Sequence, residues 1–284
     1  QSILDFDFLS KKSSPSIKAI IASGRRFERY FFGRREILIP VASSIDKISE
    51  EKRRSISYFL NLSSGRRVLT SSVEAIDSLP SLVGGIVFAE NVPEKHALDI
   101  REFAKDKNVF VIGPASVGLL VPQKLKLGAI GGVDHKQIVA AKLFDAGSVA
   151  VLSASGGMTN EIINIVTSSG LRLSFSLSFG GDRFPTTPPK DAFEAAEKDD
   201  VTNTVVYFGE LGGIDEYDLV QMLQTKKVTK KIICYIAGTV AEMFPTSPQF
   251  GHAKAMAANQ RETARAKRDA LKTAGAQVAE SFGE

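Results

Sequence analysis

The chain has 284 residues, 43% of them hydrophobic and 24% charged, which is ordinary globular usage and excludes wholesale disorder. A chain of this length buries enough surface to need no disulfide or metal staple, and its single cysteine, Cys234, excludes an intrachain disulfide. Residues 1–131 hold 20 basic and 14 acidic side chains (net +6), whereas residues 132–284 hold 16 and 18 (net −2). No apolar run approaches the ~20 residues of a membrane span, and no signal-peptide pattern is visible, so a cytoplasmic protein without a membrane partner is expected. The chain opens at Gln1 without a methionine, inside structured-looking sequence, and its true start is expected upstream.

In chain order, Ile37–Val41, Gly85–Phe88, Asn108–Ile112, Ser148–Leu152, Thr204–Phe208 and Lys231–Ile236 read as strands. Their apolar residues are successive rather than alternating, as in strands buried on both faces. Amphipathic stretches at Glu94–Lys107, Thr159–Ser169, Glu216–Gln224 and Asn259–Thr273 lie between or after them and read as helices. Such alternation predicts an α/β protein with parallel sheets covered on both sides. Glycine-rich turns follow several strands, and in doubly wound sheets the ligand crevice lies beyond those strand ends. A domain boundary is expected within Gly128–Val133, dividing the chain into residues 1–131 and 132–284. Thr186–Lys190 (TTPPK) reads as a Pro-rich surface turn. The basic first half suits a phosphorylated ligand, but Arg25, Arg26, Arg29, Arg34, Arg35, Arg66 and Arg67 also fit a solvated face. Interleaved acids and the absence of any nucleic-acid-binding pattern speak against nucleic acid.

Four segments carry candidate chemistry. In Ser148–Ser169 a buried strand runs into Ser155-Gly156-Gly157, and a helix begins near Met158-Thr159. Free backbone N–H groups beside small residues make an anion site there, and an ordinary N-cap with a tight turn is the equal alternative. His252, between Gly251 and Ala253, follows the Pro-bounded segment Pro245–Pro248; a mobile imidazole can carry a phosphoryl group, and a structural histidine is the plainer reading. Glu210, in the turn GELGG, can orient an imidazole or can be a surface residue. In the basic half, Asn61–Arg67 and Gly113–Gly118 each follow a strand and can meet a nucleotide-like phosphate or ribose. No complete GxGxxG is present, so the first strand and glycine loop of a Rossmann unit are expected before Gln1.

Taken in order, GPASVGLLVPQKLKLG (Gly113–Gly128), SASGGMTNE, FGGDRFP (Phe179–Pro185), GELGG and FGHA resemble the superfamily of succinyl-CoA synthetase α subunits and ATP citrate lyase. LDFDF, EILIPV, the Glu216-Tyr217 pair and ANQRETARAKRDALKTAGA (Ala258–Ala276) resemble the citrate-using members, ATP citrate lyase and citryl-CoA synthetase. The resemblance implies an N-terminal Rossmann-like CoA-binding domain and a C-terminal flavodoxin-like CoA-ligase domain, both doubly wound. It implies that His252 takes a phosphoryl group from ATP and passes it to citrate, with Glu210 orienting the ring. It implies that Ser155, Gly156, Gly157, Met158, Thr159 and Gly251 surround the phosphate. Ser64, Arg66, Arg67, Gly113, Pro114, Ala115, Ser116 and Gly118 are implied contacts for coenzyme A. ATP and Mg²⁺ are implied on an ATP-grasp partner subunit or domain in a hetero-oligomer, and a citrate-synthase-like domain, absent before Glu284, for cleavage; no metal ligand is expected in this chain. Two positions depart from the family pattern: Lys254 stands where glycine is usual, and Ala154 where arginine is usual. Lys254 is thereby expected to supply the cation that Ala154 lacks. A succinyl-CoA synthetase α subunit or other acyl-CoA synthetase, and a non-catalytic CoA-binding module, are the alternatives.

Overall fold

A computed structural model describes residues 1–284. Helix α1 (Ser2–Leu9) precedes a mixed three-stranded sheet of β1 (Ile20–Ile21), β2 (Phe27–Phe32) and β3 (Arg35–Ala42), ordered β1-β3-β2. After α2 (Glu50–Arg54) come β4 (Tyr58–Asn61), α3 (Val68–Ser78), β5 (Gly84–Val87), α4 (Glu94–Asp106) and β6 (Phe110–Ile112). β4, β5 and β6 form a parallel sheet in that order, through helical crossovers.

The second unit contributes β7 (Gly118–Val121), β8 (Leu125–Gly128), α5 (His135–Ala140), β9 (Val149–Ser153), α6 (Gly156–Ser168), β10 (Leu173–Ser178) and α7 (Pro189–Lys198). It continues with β11 (Thr204–Glu210), α8 (Asp215–Gln224), β12 (Lys231–Ala237), α9 (Ala264–Thr273) and β13 (Gln277–Val278). Its seven-stranded sheet runs β13-β12-β11-β9-β10-β7-β8. The five parallel strands have the flavodoxin-like order, with the switch point where β9 meets β11 on one side and β10 on the other. Every residue of β9 is buried, as its continuous apolar run requires of a strand covered on both faces. Val205, Tyr207, Ile232, Cys234 and Ile236 extend the core across β11 and β12.

The strand pairing departs from several expectations. The hairpin β7–β8 lies before residue 131 yet joins the second sheet, β7 running antiparallel to β10. The change of sheet therefore falls between Ile112 and Gly118 rather than at 131/132. Phe6 of α1 also packs into the second core, with Leu120, Ile130 and Ile138. The expected two-sided burial of Ile37–Val41 does not hold. β3 is sheeted with β2 on an open face, leaving Phe27, Phe31 and Leu38 exposed. β1, two residues long, is parallel to β3 in a sheet separate from that of β4, β5 and β6, and Gly24 follows it at φ 97°. The TTPPK segment is a staple rather than a surface turn. Thr186 is buried, its hydroxyl donates to the carbonyls of Val111 and Gly113 at 2.5 and 2.9 Å, and Thr187 Oγ1 donates to Val111 at 2.5 Å.

Candidate active site

Glu210 is the last residue of β11, and only 10% of its side chain is exposed. Its carboxylate takes the Nδ1 position of His252 at 2.8 and 3.1 Å from its two oxygens. A carboxylate only accepts, so Nδ1 carries the hydrogen and Nε2 is left with its lone pair. The hydrogen bond to Glu210 raises the imidazole pKa above its ordinary value; burial works against it, and the Glu210 charge adds to it.

The histidine sits on a tight turn. His252 N–H donates to Phe250 O at 2.7 Å, Ala255 N–H to His252 O at 3.1 Å, and Phe250 N–H to Ala255 O at 2.9 Å. Ala255 is buried and anchors the turn, while Gly251 is exposed at φ 67°. Glycines let two other loops close on it. A side chain on Gly212 would collide with the Lys254 carbonyl, and one on Gly181 with the His252 ring. The expected free cation at Lys254 is engaged: its Nζ lies 3.3 Å from Asp215 Oδ2 and only 9% of its side chain is exposed.

β9 and β11 are adjacent and parallel, with Ser153 registered opposite Phe208, so the Ser155 turn opens beside the strand end that holds Glu210. Ser155 caps α6, its Oγ accepting from Met158 N–H at 3.4 Å. Gly156 and Gly157 keep the first amides of this 13-residue helix, and nothing lies within 4 Å of where a Gly157 side chain would begin. Met158 and Thr159 differ from expectation. The Met158 amide is the one Ser155 caps, and Thr159 is fully buried with its N–H and its hydroxyl both given to Ser155 O, at 2.9 and 2.6 Å. Thr159 braces the turn and offers no donor outward.

The carboxyl edge of the first parallel sheet faces this crevice. Gly180 packs so closely on the Pro114 carbonyl that no side chain fits between the loop after β10 and the loop after β6. Ser64, Arg66 and Arg67 are exposed on the loop after β4, with neither guanidinium paired to an acid. Asn61 shapes that loop, accepting from Ser63 N–H at 2.9 Å and donating to Ser72 Oγ at 2.9 Å. The Gly113–Gly118 loop, expected to meet a cofactor, is mostly a clasp between the two sheets. Gly113, Pro114, Ser116 and Gly118 are buried. Ser116 Oγ donates to Ser178 O at 2.6 Å and accepts from Gly118 N–H at 3.0 Å, while Ala115 N–H donates to Ala89 O at 2.8 Å. Gly118 serves β-hairpin closure, since a side chain there would strike the Leu127 carbonyl.

Sequence reasoning missed two groups. Asp182, within the quoted FGGDRFP segment, has a buried Oδ2 without a hydrogen-bond partner. Burial raises its pKa, as does the charge of Glu90, which reaches across from the loop after β5. Lys267 is fully buried on α9 and donates to the carbonyls of Glu210 and Gly212 at 2.8 and 2.7 Å, with Glu216 Oε2 2.6 Å away. A lysine in an otherwise polar helix gives no signal of burial; the pattern Ala264, Lys267, Arg268, Leu271 along one face was the available clue.

A flavodoxin-like sheet with a carboxylate-held histidine at its switch point, under a glycine-opened helix start, has the layout of an acyl-CoA ligase. Residues 152–277 match the model of the CoA-ligase family. Over its whole length the chain is similar to ATP-citrate synthases and to an ATP citrate lyase of solved structure. It is 37% identical over 284 residues to ATP-citrate synthase subunit 1 of Sordaria macrospora, covering 99% of this chain and 42% of that protein. It is 37% identical over 286 residues to a probable ATP-citrate synthase of Caenorhabditis elegans, covering 26% of it. The structure of ATP citrate lyase from Methanothrix soehngenii in complex with citrate and coenzyme A superimposes with a TM-score of 0.95 at 36% identity, over 100% of this chain and 46% of that one. The chain thus spans less than half the length of these relatives. A dinucleotide-forming acetyl-coenzyme A synthetase of Ca. Korarchaeum cryptofilum, at 15% identity and TM-score 0.65, shares the fold. No helix is long and apolar enough to cross a membrane.

Proposed function

We propose that this chain is the CoA-binding, phosphohistidine-bearing part of an ATP citrate lyase or citryl-CoA synthetase, acting in the cytoplasm with an ATP-grasp partner. The observation that carries the reading is the 2.8 Å contact between His252 Nδ1 and Glu210. It fixes the tautomer, keeps Nε2 nucleophilic and stabilises positive charge that develops on the ring as its Nε2–P bond forms. The phosphoryl group leaves ATP for Nε2, and ADP departs from the partner's nucleotide site, where Mg²⁺ belongs. A citrate carboxylate oxygen then takes the phosphoryl from nitrogen, giving citryl phosphate. The sulfur of coenzyme A attacks its carbonyl carbon, the C–O bond to phosphate breaks, the thiol proton is lost, and citryl-CoA and phosphate result. In the lyase a separate citrate-synthase-like domain cleaves that product to acetyl-CoA and oxaloacetate.

The residues suit these groups. Arg66 and Arg67, exposed and without acidic partners, can hold the phosphates of coenzyme A, with Ser64 beside them. The Gly156 and Gly157 amides at the start of α6 can receive the travelling phosphoryl oxygens, and such oriented donors are the expected source of transition-state stabilisation. The relatives named as ATP-citrate synthases, and a related structure holding citrate and coenzyme A, support citrate as the acid.

The test is labelling with γ-labelled ATP in the presence of the ATP-grasp partner. Wild type should acquire acid-labile label that chases into phosphate on adding citrate and coenzyme A, and His252→Ala should acquire none. Label surviving that substitution removes His252 from the chemistry, and turnover with succinate but not citrate overturns the choice of acid.

A further inference from the structure

The imidazole of His252 rests on a backbone floor made by the loop after β10. Were Gly181 to carry a Cβ, that atom would lie under 3.0 Å from Cγ, Cδ2 and Nδ1 of the ring, a separation that real Cβ atoms essentially never show. The same ring is gripped edge-on by Glu210 through Nδ1. Gly181 itself is buried, and its neighbour Gly180 is pinned against the Pro114 carbonyl, so the floor cannot retreat. The conformation of Gly181 lies outside the left-handed region, so nothing in the backbone demands glycine there; the demand comes from the ring.

We propose that Gly181 is a positioning residue for the phosphoryl-accepting histidine: its bare backbone seats the imidazole so that Glu210 can hold Nδ1 and Nε2 faces the crevice. This rests on the reading of His252 given above, and it deepens that reading by assigning what fixes the ring's second axis. Glu210 alone leaves the ring free to rotate about the Nδ1 contact. A floor against one face removes that rotation. A side chain at 181 must lift the ring by roughly 1 Å, and displacements of that size at a reacting atom can cost about a hundredfold in rate.

The experiment uses the full chain with its ATP-grasp partner, and compares wild type, Gly181→Ala, Glu210→Gln and the double variant. Labelling of His252 should slow about a hundredfold in Gly181→Ala, and the double variant should be little slower than Glu210→Gln, because both act through one contact. Histidine NMR of the chain supplies a readout that general loss of stability does not move. His252 should titrate above the ordinary imidazole range in wild type and fall back toward it in Gly181→Ala. Melting adds a cycle that survives poor folding of the single variant: Gly181→Ala should destabilise wild type and cost little in a His252→Ala background. Labelling within twofold of wild type, an unmoved His252 titration, or an equal stability loss in both backgrounds would overturn the proposal. Wild type that carries the expected titration but takes no label would overturn the function proposed for His252 and leave the seat standing.

Discussion

Glu210 presents both oxygens to one ring nitrogen, and that contact sets a pH dependence. The folded-state pKa of His252 lies above its ordinary value, chiefly through this hydrogen bond. The stability it contributes is therefore full below the ordinary imidazole range and is lost as pH rises through the raised value. Wild type should exceed Glu210→Gln by on the order of 1 kcal/mol at about pH 5.5, allowing for solvent screening of the partly exposed ring, and by less at about pH 9. Urea midpoints at the two pH values check this. Lys267 makes a larger claim. Its ammonium, with no exposure, faces Glu216 at 2.6 Å and ties down two carbonyls flanking Leu211. Lys267→Met strands a buried carboxylate and should cost about 3–5 kcal/mol, much of which returns in the double variant with Glu216→Leu. A denaturation series that finds the two variants equally unstable would show the pair to be dispensable to each other.

At the scale of elements, α6 and the loop before β7 do different work. Ser155→Ala removes the cap of α6 and should cost about 1 kcal/mol while also slowing phosphoryl transfer, since the same turn presents the Gly156 and Gly157 amides. Ser116→Ala should cost a similar amount, about 1–2 kcal/mol, with coenzyme A affinity unchanged, because its hydroxyl is engaged in joining the loop to the second sheet. Isothermal titration beside thermal melting separates the two cases. The contrast shows what was legible in the amino-acid order. β9 was readable because a strand buried on both faces needs an unbroken apolar run, and β11 and β12 carry similar runs, although alternate residues of β12 are only half-buried. β10 was not, because LSFSLS reads as a half-exposed strand; its serines are in fact inside, Ser174 bonding Thr202 at 2.6 Å. His252 and Glu210 were legible through motifs 42 residues apart that periodicity alone could never bring together. Thr159 and Ser116 stood in the same motifs and turned inward, and no local pattern distinguishes a hydroxyl that braces a turn from one that meets a ligand.

In the molecule as a whole, the loops at the carboxyl ends of β6 and β10 close on each other, Gly180 packing on the Pro114 carbonyl. Arg66 and Arg67 stand exposed on the loop after β4 in the basic first half, and the histidine, Glu210 and the α6 amides belong to the second unit. Charge reversal at Arg66 and Arg67 together should weaken coenzyme A binding by about tenfold at low ionic strength and by less in high salt, while leaving the labelling of His252 by ATP intact. Titrations across a salt series read this directly. The difference in net charge between the halves was visible in the sequence; the seam between them was not. Gly128–Val133 reads in sequence as a domain boundary between the basic and acidic halves, yet those residues close a hairpin and its exit turn. The Gly131 N–H donates to Asn160 Oδ1 at 2.7 Å, tying that turn to α6.

That seam has a practical corollary for anyone who dissects the protein. Scissors placed after the glycine cluster would strip the ligase unit of its two border strands and of the phenylalanine that α1 plugs into it. The fragment would be left with β10 as a raw rim, whose amides and carbonyls on the side away from β9 invite another chain. Such a fragment should precipitate or self-associate in gel filtration, whereas one begun ahead of α1 should stay dispersed.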